Sequence, residues 1–273
     1  MNFLCISHYN NNLEWLNNYN NPHIIYDKTC NGGYIDNNES FKIAESNLKS
    51  KYPNLNIVEG NINGYNIYDY MTFIIDNYDK LPEVIVFMKA NTINRHITKE
   101  SFDKIINNDY FTCIEDWKFH ALNQKSILNG NAMISCEGGW LEKNTSWYLN
   151  HPKHPTKYFI SYNDFLNFCY KDPVIPKFIR FPPGGNYIVP KSMILKYDKV
   201  FYENLRVFTS HSRVPGEGQL IERALFTIWN CNYEVSENMK HPIDNSFDFP
   251  KRNKLSFRNM KYLLKRQLYL SRK

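Results

Sequence analysis

The sequence predicts an α/β chain built on a largely parallel sheet, and three observations carry that expectation. Short apolar runs alternate with helical patterns from the first residues: Phe3–Ser7, His23–Tyr26 and Asn56–Glu59, with helical spacing between them. Ile67, Tyr70, Met71, Ile74 and Ile75 fall at the i, i+3, i+4, i+7, i+8 positions of a helix with one buried face. Val84–Met88 is an unbroken β-branched and aromatic run, the pattern of a strand buried on both faces. Asp79-Lys80-Leu81-Pro82 separates the last two, because Pro82 cannot continue a helix and holds Leu81 extended.

Taken in order, Phe3–Ser7 is the first strand and His8-Tyr9-Asn10 the loop after it; Leu13, Trp15 and Leu16 begin a helix or turn. His23–Tyr26 is a second strand ending in Asp27-Lys28, and Cys30-Asn31-Gly32-Gly33 is a loop. Glu39–Lys51 has a helical pattern, and Asn56–Glu59 is a short strand closed by Gly60. Beyond the central helix and strand lie a short helix at Ser101–Asn107 and a strand at Tyr110–Ile114. Residues 118–177 are poorly periodic and read as insertions that shape a substrate cleft, with one helix at Tyr162–Tyr170. Phe178–Phe181 leads into Pro182-Pro183-Gly184-Gly185-Asn186, followed by a strand at Tyr187–Val189 and a helix at Lys191–Leu205. Pro215-Gly216-Glu217-Gly218 opens a last helix, Gln219–Asn230. No repeat or low-complexity linker divides residues 1–250, which read as one domain, with 251–273 as a tail.

A chain of 273 residues with 42% hydrophobic and 16% aromatic content can bury a full core, which excludes a disordered protein. The net charge of +6 is unevenly placed. Lys251–Lys273 holds nine cations and no acid, leaving 24 basic against 27 acidic residues in the body. That balance excludes a nucleic-acid-binding body, which would concentrate positive charge on its binding face. In the tail, Leu255, Phe257, Met260, Leu263, Leu264 and Leu268 alternate with the cations. This basic amphipathic pattern suits either peripheral contact with an anionic membrane or docking on the domain. The six cysteines form no CxxC pair and no disulfide framework. With no leader pattern and no apolar run long enough to span a bilayer, they read as reduced thiols of a cytoplasmic protein.

Ligands of open α/β sheets bind beyond the carboxyl ends of the strands. His8 and Asn10 follow the first strand, and Asp27 follows the second, where a carboxylate suits ribose hydroxyls. The central strand runs into Lys89, Asn91, Asn94, Arg95 and His96. A diphosphate held by a divalent cation would require an acidic pair here, but the position reads Phe87-Met88-Lys89-Ala90-Asn91. Lys89 and Arg95 would then neutralise the diphosphate directly, and no metal set is predicted. Any divalent cation would have to draw on Asp27, Asp69, Glu115 and Asp116. Gly184-Gly185 after two prolines marks a rigid turn where the backbone comes close to a ligand or a strand. Glu217 fits two roles, a first-turn charge favoured by the helix dipole or a base for an acceptor hydroxyl. Glu222 reads as an ion-pair partner on another side of that helix. His151 and His154 with Cys136 or His120 make a poor zinc pattern. The missing GxSxG, P-loop and GxGxxG weaken hydrolase, kinase and dehydrogenase readings.

Three stretches, Ile6–Leu16 (ISHYNNNLEWL), Tyr68–Ala90 (YDYMTFIIDNYDKLPEVIVFMKA) and Gly184–Leu205 with Gly216–Trp229, resemble a known family. It is a glycosyltransferase-like family catalogued as a domain of unknown function, with fungal, bacterial and large-virus members. The resemblance implies a single GT-A-like (Rossmann-like) domain with a mixed, mostly parallel central sheet and a C-terminal basic helix. It implies a hexosyl- or pentosyltransferase that uses a UDP- or GDP-linked sugar and a glycan or glycolipid acceptor, as in surface-polysaccharide synthesis. Carried over, it puts the nucleotide at His8, Asn10 and Asp27 and the diphosphate at Lys89, Asn91, Arg95 and His96. The sugar or acceptor falls at Gly184, Gly185 and Asn186, with Glu217 as the base of an inverting enzyme. The chain departs from many relatives in having Ala90-Asn91 where they have Gly-His, its histidine delayed to His96. Residues 118–177 carry no likeness. The rival reading is a non-catalytic glycan- or nucleotide-binding module on the same fold; a membrane-peripheral scaffold, resting on the tail alone, is the third.

Overall fold

The structure, a computed structural model, describes residues 1–29, 47–116, 132–134, 138–151 and 153–243. Nine strands and seven α-helices, besides the helical residues 47–51, are defined among these residues. β1 (Phe3–His8), β2 (His23–Asp27), β3 (Ile57–Glu59), β4 (Val84–Lys89), β5 (Thr112–Cys113) and β9 (Tyr187–Pro190) form the central sheet. Its order is β3-β2-β1-β4-β9-β5. The first four strands are parallel, and β9 runs antiparallel to both β4 and β5. The sheet is therefore mixed and mostly parallel, in line with the alternating sequence pattern.

β4 shows why its sequence lacks polar alternation. Ile85 and Phe87 face one hydrophobic cluster, Val86 and Met88 the other, and all four are fully buried. On the first face Phe87 stacks on Trp229 (ring centroids 5.6 Å apart, planes 10° apart) and meets Tyr70 of α1 (Tyr65–Asp76) at 5.1 Å. Such pairs add about 0.5–1.5 kcal/mol each beyond area burial. On the other face Leu13, Leu16 and Phe102 of α2 (Lys99–Ile105) close the core. The predicted amphipathic helix is α1, and Ile67, Tyr70, Met71, Ile74 and Ile75 are all buried on it. It starts after Gly64 (φ 78°), where a Cβ would lie 2.7 Å from Tyr68 Cβ, so only glycine fits.

Residues 118–177 and their neighbours supply more regular structure than their sequence suggests. β6 (Ala132–Ile134), β7 (Trp140–Lys143) and β8 (Phe178–Phe181) make a second, antiparallel sheet. α3 (Tyr162–Cys169) lies where one helix was expected, capped by Ser161 accepting from Asp164 N. Lys191–Leu205 is not one helix. Asp198 breaks it with extended N-cap geometry into α4 (Lys191–Ile194) and α5 (Lys199–Thr209). Asp198 makes no side-chain capping bond; its extended backbone alone separates the two helices. The strand expected at Tyr110–Ile114 shrinks to two residues. α6 (Gly216–Asn230) and the short α7 (Glu237–Lys240) complete the described fold. Only 47–51 of the Glu39–Lys51 helix is described, as helix. The Cys30–Gly33 loop and the basic tail from Lys251 lie outside the described residues. Among those described, no helix is long and apolar enough to cross a membrane.

Candidate functional site

β1 and β4 are neighbours, while the chain leaves β1 toward β2 on the other side. The crevice between their carboxyl ends is thus the switch point where open α/β sheets bind ligands. A cleft of about 320 Å³ opens there. β1 contributes Ser7, with Tyr9 and Asn11 just beyond it, and the end of β2 contributes Lys28. β4 and its loop contribute Lys89, Asn91 and Arg95. Tyr65 and Asn66 come from the N-terminus of α1, and Arg213 and Val214 from the turn before α6.

Behind Ser7 and Lys28 sits a buried carboxylate. Ser7 Oγ donates to Asp69 Oδ2 at 2.6 Å, and Lys28 Nζ lies 3.1 Å from the same oxygen. Lys28 also donates to the carbonyl of Tyr65, which stitches β2 to the start of α1. Burial raises the Asp69 carboxyl to about 6 against the opposing pull of Lys28 and Ser7, and its Oδ1 has no hydrogen-bond partner. Burial likewise lowers the Lys28 ammonium, with Asp69 opposing.

The opposite wall is built on Asn186. Its Oδ1 accepts from Lys89 N (3.1 Å) and Thr92 Oγ1 (2.9 Å), and its Nδ2 donates to Pro183 O (3.1 Å). Gly184 and Gly185 both have positive φ, 87° and 62°. The left-handed φ at 184 is what favours glycine there, and Lys89 Cε lies against the position, 2.6 Å from where a side chain would start. The Lys89 ammonium has no hydrogen bond or ion pair among the described residues, and burial lowers its pKa. Glu115 stands close by, hydrogen-bonded to His96 Nδ1 at 3.0 Å. Burial first, then Glu222 and Asp116, raise Glu115 to about 9 against Lys89, so it holds its proton at neutral pH.

That shift has a measurable sign. The folded chain keeps a proton on Glu115 from about 4.5 to about 9, where the unfolded chain has lost it. Its contribution to stability is complete below about 4.5 and is lost as pH rises toward about 9. Asp69 contributes the same sign only below about 6. Between about 6 and about 9, Glu115→Gln is therefore expected to flatten the fall of Tm with pH, measured by thermal denaturation in a buffer series.

The sequence-expected residues divide into two groups. Lys89, Asn91 and Arg95 meet in the cleft, and Gly184 backs Lys89. The others are engaged elsewhere. His8 (1% exposed) pairs through Nδ1 with Asp27 Oδ1 at 2.6 Å, and Asp27 is fully buried, accepting also from Thr29 N. This pair locks the loops after β1 and β2 together, and neither residue lines the cleft. Asn10 is exposed and bonds its backbone N to Thr29 Oγ1, while Asn11 takes the cleft position. His96 is buried against Glu115, and Asn186 is wholly used in joining β4 to β9.

Glu217 is the clearest correction. It is fully buried, and its Oε1 accepts from the backbone N–H groups of Lys157 and Tyr158 (2.7 Å each) and Phe159 (3.4 Å). Oε2 accepts from His211 Nε2 at 2.9 Å. This carboxylate is fully buried, held by four donors, and is not part of the cleft lining. Glu222, expected as an ion-pair partner, has Arg223 Nη1 at 3.8 Å. Among the described residues no group of three His, Cys, Asp or Glu could hold a metal.

A family model described as a protein of unknown function (DUF3431) matches residues 7–244. The chain belongs to the DUF3431 family. No curated protein and no solved structure matches it. The family match takes in all the cleft residues named above, from Ser7 to Val214. Of those, the sequence reading passed over Ser7, Asn11, Lys28, Tyr65, Asn66, Arg213 and Val214. Ser7 was hidden inside an apolar strand. Asn66 and Asp69 were visible only as polar residues beside the apolar ladder of α1, and Asp69 and Glu115 only as reserve metal ligands.

Proposed function

We propose that this DUF3431 chain is a GT-A-type glycosyltransferase that takes a sugar from a UDP- or GDP-linked donor and passes it to a glycan or glycolipid hydroxyl. The observation that carries the proposal is the open ammonium of Lys89 at the end of the central strand, facing a cleft it shares with Arg95 and Arg213. A cation drawn out of water with no hydrogen bond or direct ion pair among the described residues is costly, and such perturbed groups gather at functional sites. An incoming diphosphate would supply the missing charge, and Lys89 would then stabilise the leaving group. The cleft volume of about 320 Å³ suits a small ligand. Tyr9 and Tyr65 give it aromatic edges. Four parallel strands followed by the antiparallel β9 support a GT-A-type domain.

The reading needs no metal, because cations already stand where an acidic pair would hold one. UDP and GDP are expected to bind equally well with EDTA and with manganese in calorimetric titrations; a strict manganese requirement overturns this part. A panel of sugar nucleotides screened for donor hydrolysis then tests the enzyme assignment. The burial of Glu217 favours one rival, a non-catalytic nucleotide- or glycan-binding module. Its signature would be tight nucleotide binding with no turnover of any donor.

A further inference from the structure

Two groups in the cleft lining differ in chemistry. β4 and its loop bring Lys89, Asn91 and Arg95, all polar. The segments entering α1 and α6 bring Ile62, Tyr65 and Val214, which offer apolar surface beside Arg213. These two segments are tied together: Gly64 N donates to Ser212 O at 3.0 Å, and Asn63 Nδ2 donates to Ser210 O at 2.9 Å. Tyr65 is held there against its own backbone preference. Its φ of 54° lies in the left-handed region, which a bulky side chain seldom occupies, and strain of this kind gathers where ligands are clamped. Lys28 fixes that backbone, with Nζ donating to the carbonyl of Tyr65 and, at 3.4 Å, to that of Asn63. The ring is fixed as well. It meets the His154 ring edge-on with centroids 6.4 Å apart, and its Cδ2 lies against Gly218. Tyr9, the other aromatic residue of the lining, is 43% exposed, whereas Tyr65 is partly buried. An aromatic ring so anchored, in a cleft that also holds cations, is a surface for a flat ring that carries an anion.

We infer that Tyr65, with Ile62 and Val214 of the same lining, is the platform on which the base of a nucleotide stacks, its diphosphate reaching Lys89 and Arg95. The inference rests on the nucleotide-binding part of the proposed function. It moves the nucleoside away from the ends of β1 and β2, where His8 and Asp27 are occupied with each other, to the start of α1. Every base has a π face, so a tyrosine platform accepts uracil and guanine alike.

The test compares UDP with inorganic pyrophosphate in calorimetric titrations of the full chain, because only UDP carries a base. Tyr65→Ala is expected to weaken UDP binding by about 5-fold to 150-fold, the loss of one base–aromatic stack, and to leave pyrophosphate binding unchanged. Tyr65→Phe keeps the ring and should bind UDP as the wild type does. A Tyr65→Ala chain that keeps its UDP affinity, or that loses UDP and pyrophosphate equally, overturns the inference. Should Tyr65→Ala fail to fold, Tyr65→Trp decides. UDP should quench its fluorescence beyond any change in the wild type, and pyrophosphate should not; no added quench overturns the inference. If the wild-type chain binds pyrophosphate but neither UDP nor GDP, the nucleotide reading fails and the platform with it. That result is read on the wild type, separate from any change confined to the variants.

Discussion

Lys89→Met is expected to weaken nucleotide-diphosphate binding by at least about tenfold while making the ligand-free protein more stable. The two effects have opposite signs because they come from the same charge. In the free chain the ammonium is drawn from water, has no partner among the described residues, and is held below its usual pKa by burial. A methionine of similar length removes that cost and still fills the space against Gly184. With ligand present, the same ammonium faces a diphosphate, and removing one side of a desolvated charge pair costs about 2–5 kcal/mol. That corresponds to a loss of affinity of about 30-fold to several thousand-fold. Thermal denaturation with and without UDP reads both at once: a higher Tm in the apo variant and a smaller further rise on adding nucleotide. Arg95→Ala, at an exposed cleft position, should give a smaller loss that shrinks with salt. A Lys89→Met variant that binds UDP as well as the wild type would remove the foundation of the proposed function.

How far the sequence could be read depended on whether a residue's partner lay nearby in the chain. α1 and β4 were legible because periodicity is local: the ladder Ile67 to Ile75 and the run Val84–Met88 need no knowledge of the rest of the molecule. Lys89 and Arg95 were legible for a related reason, since a polar cluster after a buried strand marks the ligand end of an open sheet. His8, Asp27, Asn186 and Glu217 were chosen on equally local grounds, and there the reasoning missed. Each is a buried polar residue whose partners are remote in sequence: Asp27 for His8, Lys89 N for Asn186, Lys157 N to Phe159 N for Glu217. Position after a strand or at a helix start gives the residue type but not whether its hydrogen bonds are already taken. Arg213 was missed by the converse. A turn position carries no ligand signal until the fold brings it to the cleft. β6 and β7 escaped because two short antiparallel strands offer too few residues for a period to register.

Glu217 gives the sharpest contrast between its two readings. As a base it would be dispensable for folding, and Glu217→Gln would leave stability intact while activity collapsed. Its contacts imply the opposite. Three backbone N–H groups of Lys157, Tyr158 and Phe159 converge on one oxygen, and His211 holds the other. Tyr158 and Phe159 are themselves buried, packed on Phe208 at 5.2 and 4.9 Å, so water cannot readily replace the lost acceptor. Each buried donor left without a partner costs about 1–3 kcal/mol. Glu217→Ala is therefore expected to destabilise the chain by about 3–6 kcal/mol, a large share of the roughly 5–15 kcal/mol typical of a domain. At about 2–4 °C per kcal/mol for a chain of this size, Tm should fall by roughly 6–24 °C. Glu217→Gln keeps a carbonyl oxygen for the three N–H groups and turns only its amide toward His211, so its loss should be a fraction of that. Differential scanning calorimetry of the two variants, with nucleotide affinity measured below their transitions, separates the accounts. The structural role requires the Ala variant to melt early and yet bind UDP normally while folded; a stable Glu217→Ala protein would show that the segment at 157–159 is held by other means.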